Sequence, residues 1–161
     1  MSDFRPSIVL TDLAASAVDF IVVGGIAAAL WGSTRETNDL DVMCPRSESN
    51  NLKLAGCLTH LKARVTGSPN APRPIDPRLL SGMKVVSFET ENGALDVVFE
   101  SQGITFEDVV RDAEEMDLED GTIRVVGLAT LIEMKRGAGR PKDREVIAEL
   151  EALQELGAEL H

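Results

Sequence analysis

Apolar residues recur at helical spacing from Ile8 to Val18, and the run Phe20 to Val23 that follows is short, wholly apolar and closed by Gly24-Gly25. The pattern predicts a helix, then a buried strand, then a glycine turn. Ile26-Ala27-Ala28-Ala29-Leu30-Trp31 is a strong helix former stopped by Gly32, and Leu40 to Met43 alternates with acids as a strand. Asn51 to Lys62 places Leu52, Ala55, Leu58 and Leu61 on roughly one helical face. Thr66 to Pro77, with Pro69, Pro72, Pro74 and Pro77, reads as an irregular loop.

Met83 to Phe88 and Ala94 to Phe99 flank Glu91-Asn92-Gly93, and Asn-Gly between β-rich runs is a strong hairpin signal. Phe106 to Met116 reads as a helix opened by a capping box of Thr105 and Asp108, and the acidic run Asp112 to Asp120 as its solvated end and a turn. Ile123 to Val126 is a short strand. Leu128 to Arg136 is a helix ended by Gly137, and a last helix from Asp143 to Leu156 puts Val146, Leu150 and Leu153 on one face and acids on the other. The expected fold is α/β: a mixed, twisted sheet with helices mainly on one face, residues 1–161 forming one domain and 128–161 its helical C-terminal part.

Composition narrows the function. A formal net charge of -11 argues against a groove that grips nucleic acid through many phosphates. Cys44 and Cys57 are the only cysteines and stand in no CxxC or Cys/His cluster, so neither a disulfide framework nor a structural zinc site is indicated. No apolar run approaches the length of a membrane span, and the start Met1-Ser2-Asp3-Phe4-Arg5-Pro6 lacks a signal-peptide pattern; a cytoplasmic protein is expected, with no membrane partner.

Candidate chemistry concentrates in two places. Asp39 and Asp41 stand two apart on a predicted strand and so share a face. Asp96 lies inside the apolar run Ala94-Leu95-Asp96-Val97-Val98-Phe99, where a carboxylate is costly without a cation or donors. The three would form an oxygen-rich set suited to magnesium, with manganese as the alternative ion. Gly24 and Gly25 let backbone approach a phosphate closely, ahead of a helix N-terminus. Neither GxxxxGK[ST] nor GxGxxG is present, so Walker ATPases and dinucleotide-binding folds are not indicated.

In this order the residues resemble the nucleotidyltransferase superfamily related to DNA polymerase beta: Gly24-Gly25, then Asp39-Leu40-Asp41, then Asp96. The form Arg35-x-Thr37-x-Asp39-x-Asp41, followed by Leu131-Ile132-Glu133-Met134-Lys135 and Arg140-Pro141-Lys142-Asp143, is similar to its minimal branch, which includes the toxins of abortive-infection and type IV toxin-antitoxin systems. The resemblance implies transfer of a nucleoside monophosphate from a nucleoside triphosphate to an acceptor hydroxyl, with pyrophosphate released. The acceptor would be an RNA 3' end, a protein or a small molecule, and a cognate antitoxin would be a partner. It also implies that Asp39, Asp41 and Asp96 are catalytic and hold metal, that Gly24, Gly25 and Lys135 hold the triphosphate, that Arg140 assists, and that Asp143 orients the basic groups or the acceptor.

Each signal has a plainer reading. Gly24-Gly25 alone is an ordinary turn, Asp39 and Asp41 alone a solvated strand face, Lys135 a cation complementing a helix end, and Asp143 an N-cap of the last helix. Two other functions fit parts of the pattern: a non-catalytic nucleotide- or partner-binding protein on the same fold, and a hydrolase using similar carboxylates. Pyrophosphate release separates transfer from hydrolysis.

Overall fold

The apolar run after Asp19 becomes the strand against which the candidate site is built. The computed structural model describes residues 3–119 and 121–160, with side chains through Gly157; Asp120 at the end of the acidic run, and His161, lie outside the described residues. Helix α1 (Pro6–Ala15) leads to β1 (Ile21–Val23), helix α2 (Gly24–Trp31) and β2 (Asp39–Met43). Next come α3 (Glu48–His60), β3 (Arg64–Val65) and a 3-10 turn at Pro77–Leu80. Strands β4 (Val85–Thr90) and β5 (Gly93–Val98) form a hairpin, and β6 (Glu100–Ser101) and β7 (Ile104–Thr105) a second, minimal one. The chain closes with α4 (Phe106–Val110), β8 (Glu114–Leu118), β9 (Gly121–Val125), α5 (Leu128–Ala138), a 3-10 turn at Pro141–Asp143 and α6 (Arg144–Leu160).

Seven strands form one mixed sheet in the order β3-β4-β5-β2-β1-β9-β8. β2 lies at its centre, antiparallel to β1 and parallel to β5. The pleat then sorts the side chains. Leu40 and Val42 of β2, Leu95 and Val97 of β5, and Val86 and Phe88 of β4 share one face by register and are all buried. The opposite face carries Asp41, Asp96 and Ser87, all half-buried, then Glu89 and Val85, both exposed. Beside β4 and β5 the sheet is therefore covered on one side and open on the other. Near β1, by contrast, Ile21, Val22 and Val23 are all buried.

Helices α2, α5 and α6 pack on one another, with Leu131, Ile132, Val146 and Leu150 in the core. Each such side chain contributes about 1.5–3 kcal/mol by leaving water. The Trp31 indole Nε1 donates to the Val126 carbonyl at 2.8 Å and pins the end of α2 to the segment before α5. Ser47 caps α3, its Oγ accepting from the Asn50 N–H at 3.2 Å.

Several boundaries differ from expectation, for physical reasons. Gly24 and Gly25 do not form a turn ahead of α2 but are its first residues, Gly24 carrying the change of direction at φ 69°. The predicted helix Phe106 to Met116 ends at Val110, although the Thr105 N–H does donate to the Asp108 carboxylate at 3.0 Å as the capping box requires. Glu114–Leu118 is a strand instead, because Met116 pairs with Ile123 and Glu115 with Arg124 on the neighbouring strand. α5 runs through Gly137 and stops at Gly139, which takes the left-handed conformation at φ 64°. The hairpin turn is Glu91-Asn92, with Gly93, at φ 109°, already paired to Thr90.

Candidate functional site

The sheet register determines the carboxylate arrangement. Asp41 is paired with Asp96 across the parallel β2–β5 ladder and with Val23 across the antiparallel β1–β2 ladder. Neighbouring strands lie roughly 4.8 Å apart, so Asp41 and Asp96 stand side by side on one face, with Asp39 two residues along β2. Where β1 ends, Gly24 lies directly against this cluster: a Cβ there would fall 2.0 Å from Asp41 Oδ2. A Cβ on Gly25 would fall 2.6 Å from Thr37 Oγ1. Both glycines are therefore required by close approach, Gly24 also by its positive φ.

Electrostatics follows from this crowding. The Asp41 carboxyl is raised from 3.8 to about 7, by burial first, then by sharing a hydrogen bond with Asp96, then by the charges of Asp96 and Asp39. The Lys135 ammonium pulls the other way and only partly offsets them. The cluster is thus short of positive charge. Its donors are all carboxylate oxygens, which fit a hard divalent cation. Among the described residues no three His, Cys, Asp or Glu side chains converge as a ready-made cage, and Asp39 is exposed at the rim of the cluster.

A cleft of about 230 Å³ opens beside the cluster, lined by Gly25, Asp39, Asp41, Lys135, Arg140 and Asp143 among others. Of the residues singled out in the sequence, these six meet in one space. Gly24 and Asp96 do not line it; they lie next to Asp41. On the helical side Asp143 is 3% exposed and organises two cations. Its Oδ2 accepts from Arg140 Nε at 2.7 Å, its Oδ1 from an Arg140 terminal nitrogen at 3.3 Å, and Lys135 Nζ lies 3.6 Å from Oδ1. Burial holds the Lys135 ammonium below the ordinary lysine range, with Asp143 opposing that and Arg140 reinforcing it. Asp143 thus holds both basic groups, and Lys135, in the last turn of α5, is buried and within reach of Asp41's field.

The cleft also holds residues that the sequence did not single out for it, Ser33, Glu36 and Val146, with Arg35, Thr37 and Lys142 of the motif beside them. Ser33 and Thr34 hydrogen-bond to Glu149 of α6, and Arg35 pairs with Glu145. The partners are more than a hundred positions apart, and the sequence pattern only sets the acids of α6 apart from its apolar face. A second, wider cleft of about 670 Å³ is lined by Lys62, Arg64, Pro72, Glu89 and Ala94 among others. It borders β5 at Ala94, which pairs with Asp39 and lies two residues before Asp96.

Among the described residues no helix is long and apolar enough to cross a membrane. Compared with known protein families and with curated proteins, the sequence matches none. Compared with solved structures, the whole fold finds counterparts. The lincosamide antibiotic adenylyltransferase LnuA, in its lincomycin-bound form, superposes with a TM-score of 0.62 at 16% identity over 95% of this chain and 99% of that one. The antibiotic-resistance factor ANT(2'')-Ia superposes at 0.59 in its solution structure, with 17% identity over 94% and 82% of the two chains. Its complex with adenylyl-2''-tobramycin gives 0.56 at 14% identity, over 92% and 91%. The α/β architecture of this chain is therefore the nucleotidyltransferase fold.

Proposed function

We propose that the protein is a nucleotidyltransferase that moves a nucleoside monophosphate from a nucleoside triphosphate to an acceptor hydroxyl. The observation that carries this is the pairing of Asp41 with Asp96 under Gly24, with Lys135, Arg140 and Asp143 across the same cleft. Asp39, Asp41 and Asp96 would hold magnesium or manganese, which, when bound, supplies charge neutralisation at the triphosphate. Lys135 and Arg140, fixed by Asp143, would bind the outgoing phosphates, and the N-terminus of α2 at Gly24-Gly25 offers free N–H groups to them. Asp96 would accept the acceptor's proton as its oxygen bonds to the α-phosphorus and the bond to pyrophosphate breaks.

A small hydroxylated molecule is the favoured acceptor. The wider cleft next to Ala94 has a volume suited to such a ligand, Pro72 of the proline-rich loop forms part of it, and the structural counterparts include proteins that act on or bind lincomycin and tobramycin. The strongly negative chain disfavours RNA. One specific feature favours a second assignment: the element Arg35-x-Thr37-x-Asp39-x-Asp41 with Lys135 and Arg140-x-Lys142-Asp143 resembles the toxin branch, for which a polymer or protein acceptor and a cognate antitoxin are expected.

The test is incubation with each α-labelled triphosphate and magnesium, in the presence of a panel of aminoglycosides and lincosamides, total RNA, or a protein extract. Label on a small molecule with stoichiometric pyrophosphate supports the favoured acceptor, and label on RNA or protein supports the second. Orthophosphate release without labelled product indicates a hydrolase. If Asp39→Ala and Asp41→Ala leave every signal unchanged, the enzyme function is refuted, and triphosphate binding without transfer leaves a non-catalytic binding protein.

A further inference from the structure

The loop 33–38 between α2 and β2 forms one wall of the nucleotide cleft, with Ser33, Arg35, Glu36 and Thr37 facing it. After the Ser33 N–H reaches the Ala28 carbonyl at 2.9 Å, residues 34–38 make no backbone-to-backbone bond with other described residues outside the sheet ladders. A loop of this kind samples many conformations unless side chains restrain it. Its restraint comes from α6. Glu149 accepts from the Thr34 N–H at 3.0 Å, from Thr34 Oγ1 at 3.1 Å and from Ser33 Oγ at 3.3 Å. One helical turn earlier Glu145 pairs with Arg35. Positions four apart share a helix face, so both acids address the same loop.

The helix presenting them is itself fixed. Val146 and Leu150 are buried in the core, and Leu153 packs under Gly32, where a Cβ would meet its methyl at 3.3 Å. The loop in turn reaches the site: Thr37 lies over Gly25, and its Oγ1 donates to the Asp39 carbonyl at 3.3 Å. Glu149 does not line the cleft.

We propose that Glu149 is a positioning residue for nucleotide binding: from α6 it holds loop 33–38 so that Ser33, Arg35 and Thr37 stand ready in the cleft wall. This role rests on the nucleotide function proposed above. Without the anchor, ordering the loop becomes part of the cost of binding, while Asp39, Asp41 and Asp96, on paired strands, keep their places. Removal therefore weakens triphosphate binding and leaves the chemical step nearly untouched.

The experiment compares wild type, Glu149→Ala, Glu149→Gln and Thr34→Ala by calorimetry with magnesium and an α,β-methylene triphosphate, by KM and kcat in the transfer assay, and by hydrogen exchange at the Thr34 amide. Glu149→Ala is expected to weaken affinity and raise KM about tenfold, the effect of losing a hydrogen-bonded charged group, with kcat within about twofold. Glu149→Gln keeps an oxygen for the Thr34 N–H and hydroxyl and turns its amide nitrogen to the Ser33 hydroxyl, which can accept, and should recover to within about threefold of wild type. Thr34→Ala retains the N–H contact and should fall between. Thr34 exchange should accelerate in Glu149→Ala and return with Gln. If the wild type binds the analogue and Glu149→Ala binds it equally well despite faster exchange, or if Gln does not recover what Ala loses, the positioning role is overturned. A wild type that binds no triphosphate overturns the nucleotide function itself.

Discussion

Asp41 offers a quantitative test of how the site is charged. In the unfolded chain its carboxyl titrates near 3.8, and in the folded protein near 7. The folded state therefore holds a proton that the unfolded state releases. The stabilisation from that proton is complete below pH 3.8, falls as pH rises, and is gone above about pH 7. At about 1.4 kcal/mol per pH unit, the gap between 3.8 and about 7 corresponds to an upper bound of about 4 kcal/mol. Two features reduce it. Asp41 borders an open cleft, where water screens its charge, and it shares the proton with Asp96, so part of the effect belongs to the pair. About 1–2 kcal/mol is expected to survive.

The perturbation is Asp41→Asn, which keeps the shape of the protonated acid and abolishes its titration. Urea unfolding with chelator present should find the variant more stable than wild type by about 1–2 kcal/mol at pH 8, and within about 0.5 kcal/mol of it near pH 3.5, just below the unfolded value. Added magnesium at pH 8 should stabilise wild type, since an ion bound only to the folded state shifts the equilibrium, and should have much less effect on the variant. A variant that is less stable than wild type at pH 8, or that differs by the same amount at both pH values, would falsify the crowded-carboxylate account.

Three further outcomes follow from contacts around the site. Gly24→Ala forces a Cβ to within 2.0 Å of Asp41 Oδ2 at a positive φ, and should lower stability by about 1–3 kcal/mol in thermal unfolding and abolish transfer. Asp143→Ala leaves buried Lys135 without its counter-ion and should cost about 3–5 kcal/mol, whereas Asp143→Asn, which keeps an acceptor, should cost less; chemical denaturation ranks them. Asp112→Ala removes the acceptor of the 2.7 Å bond from Thr130 Oγ1 at the start of α5, and a loss of about 1 kcal/mol without change in nucleotide affinity is expected from calorimetry and thermal unfolding.

What was legible in the sequence was whatever depends on near neighbours. Val22-Val23-Gly24-Gly25 announced a strand passing through two glycines into a helix, and the spacing of Asp39 and Asp41 placed both on one strand face, because period-2 geometry needs no tertiary knowledge. Asp96 stood out because its neighbours are apolar, and the register then set it beside Asp41. Where distant pairing decides, local pattern misled. Phe106, Val109, Val110, Ala113 and Met116 have helical spacing, yet Met116 finds Ile123 across an edge ladder whose exposed acids, Glu114, Glu115 and Asp117, discourage further strand addition. Gly137 and Gly139 are equal as helix stops in sequence, and only the second takes a positive φ. The acids of α6 are the sharpest case. Read alone, Glu145 and Glu149 are acids away from the apolar stripe of α6, and they meet residues 33–35 because Leu150 is buried in the core and Leu153, one turn after Glu149, seats the helix against Gly32. Core packing along α6 thus determines which loop its acids can hold, and the geometry of the cleft beside Asp41 is written partly in α6.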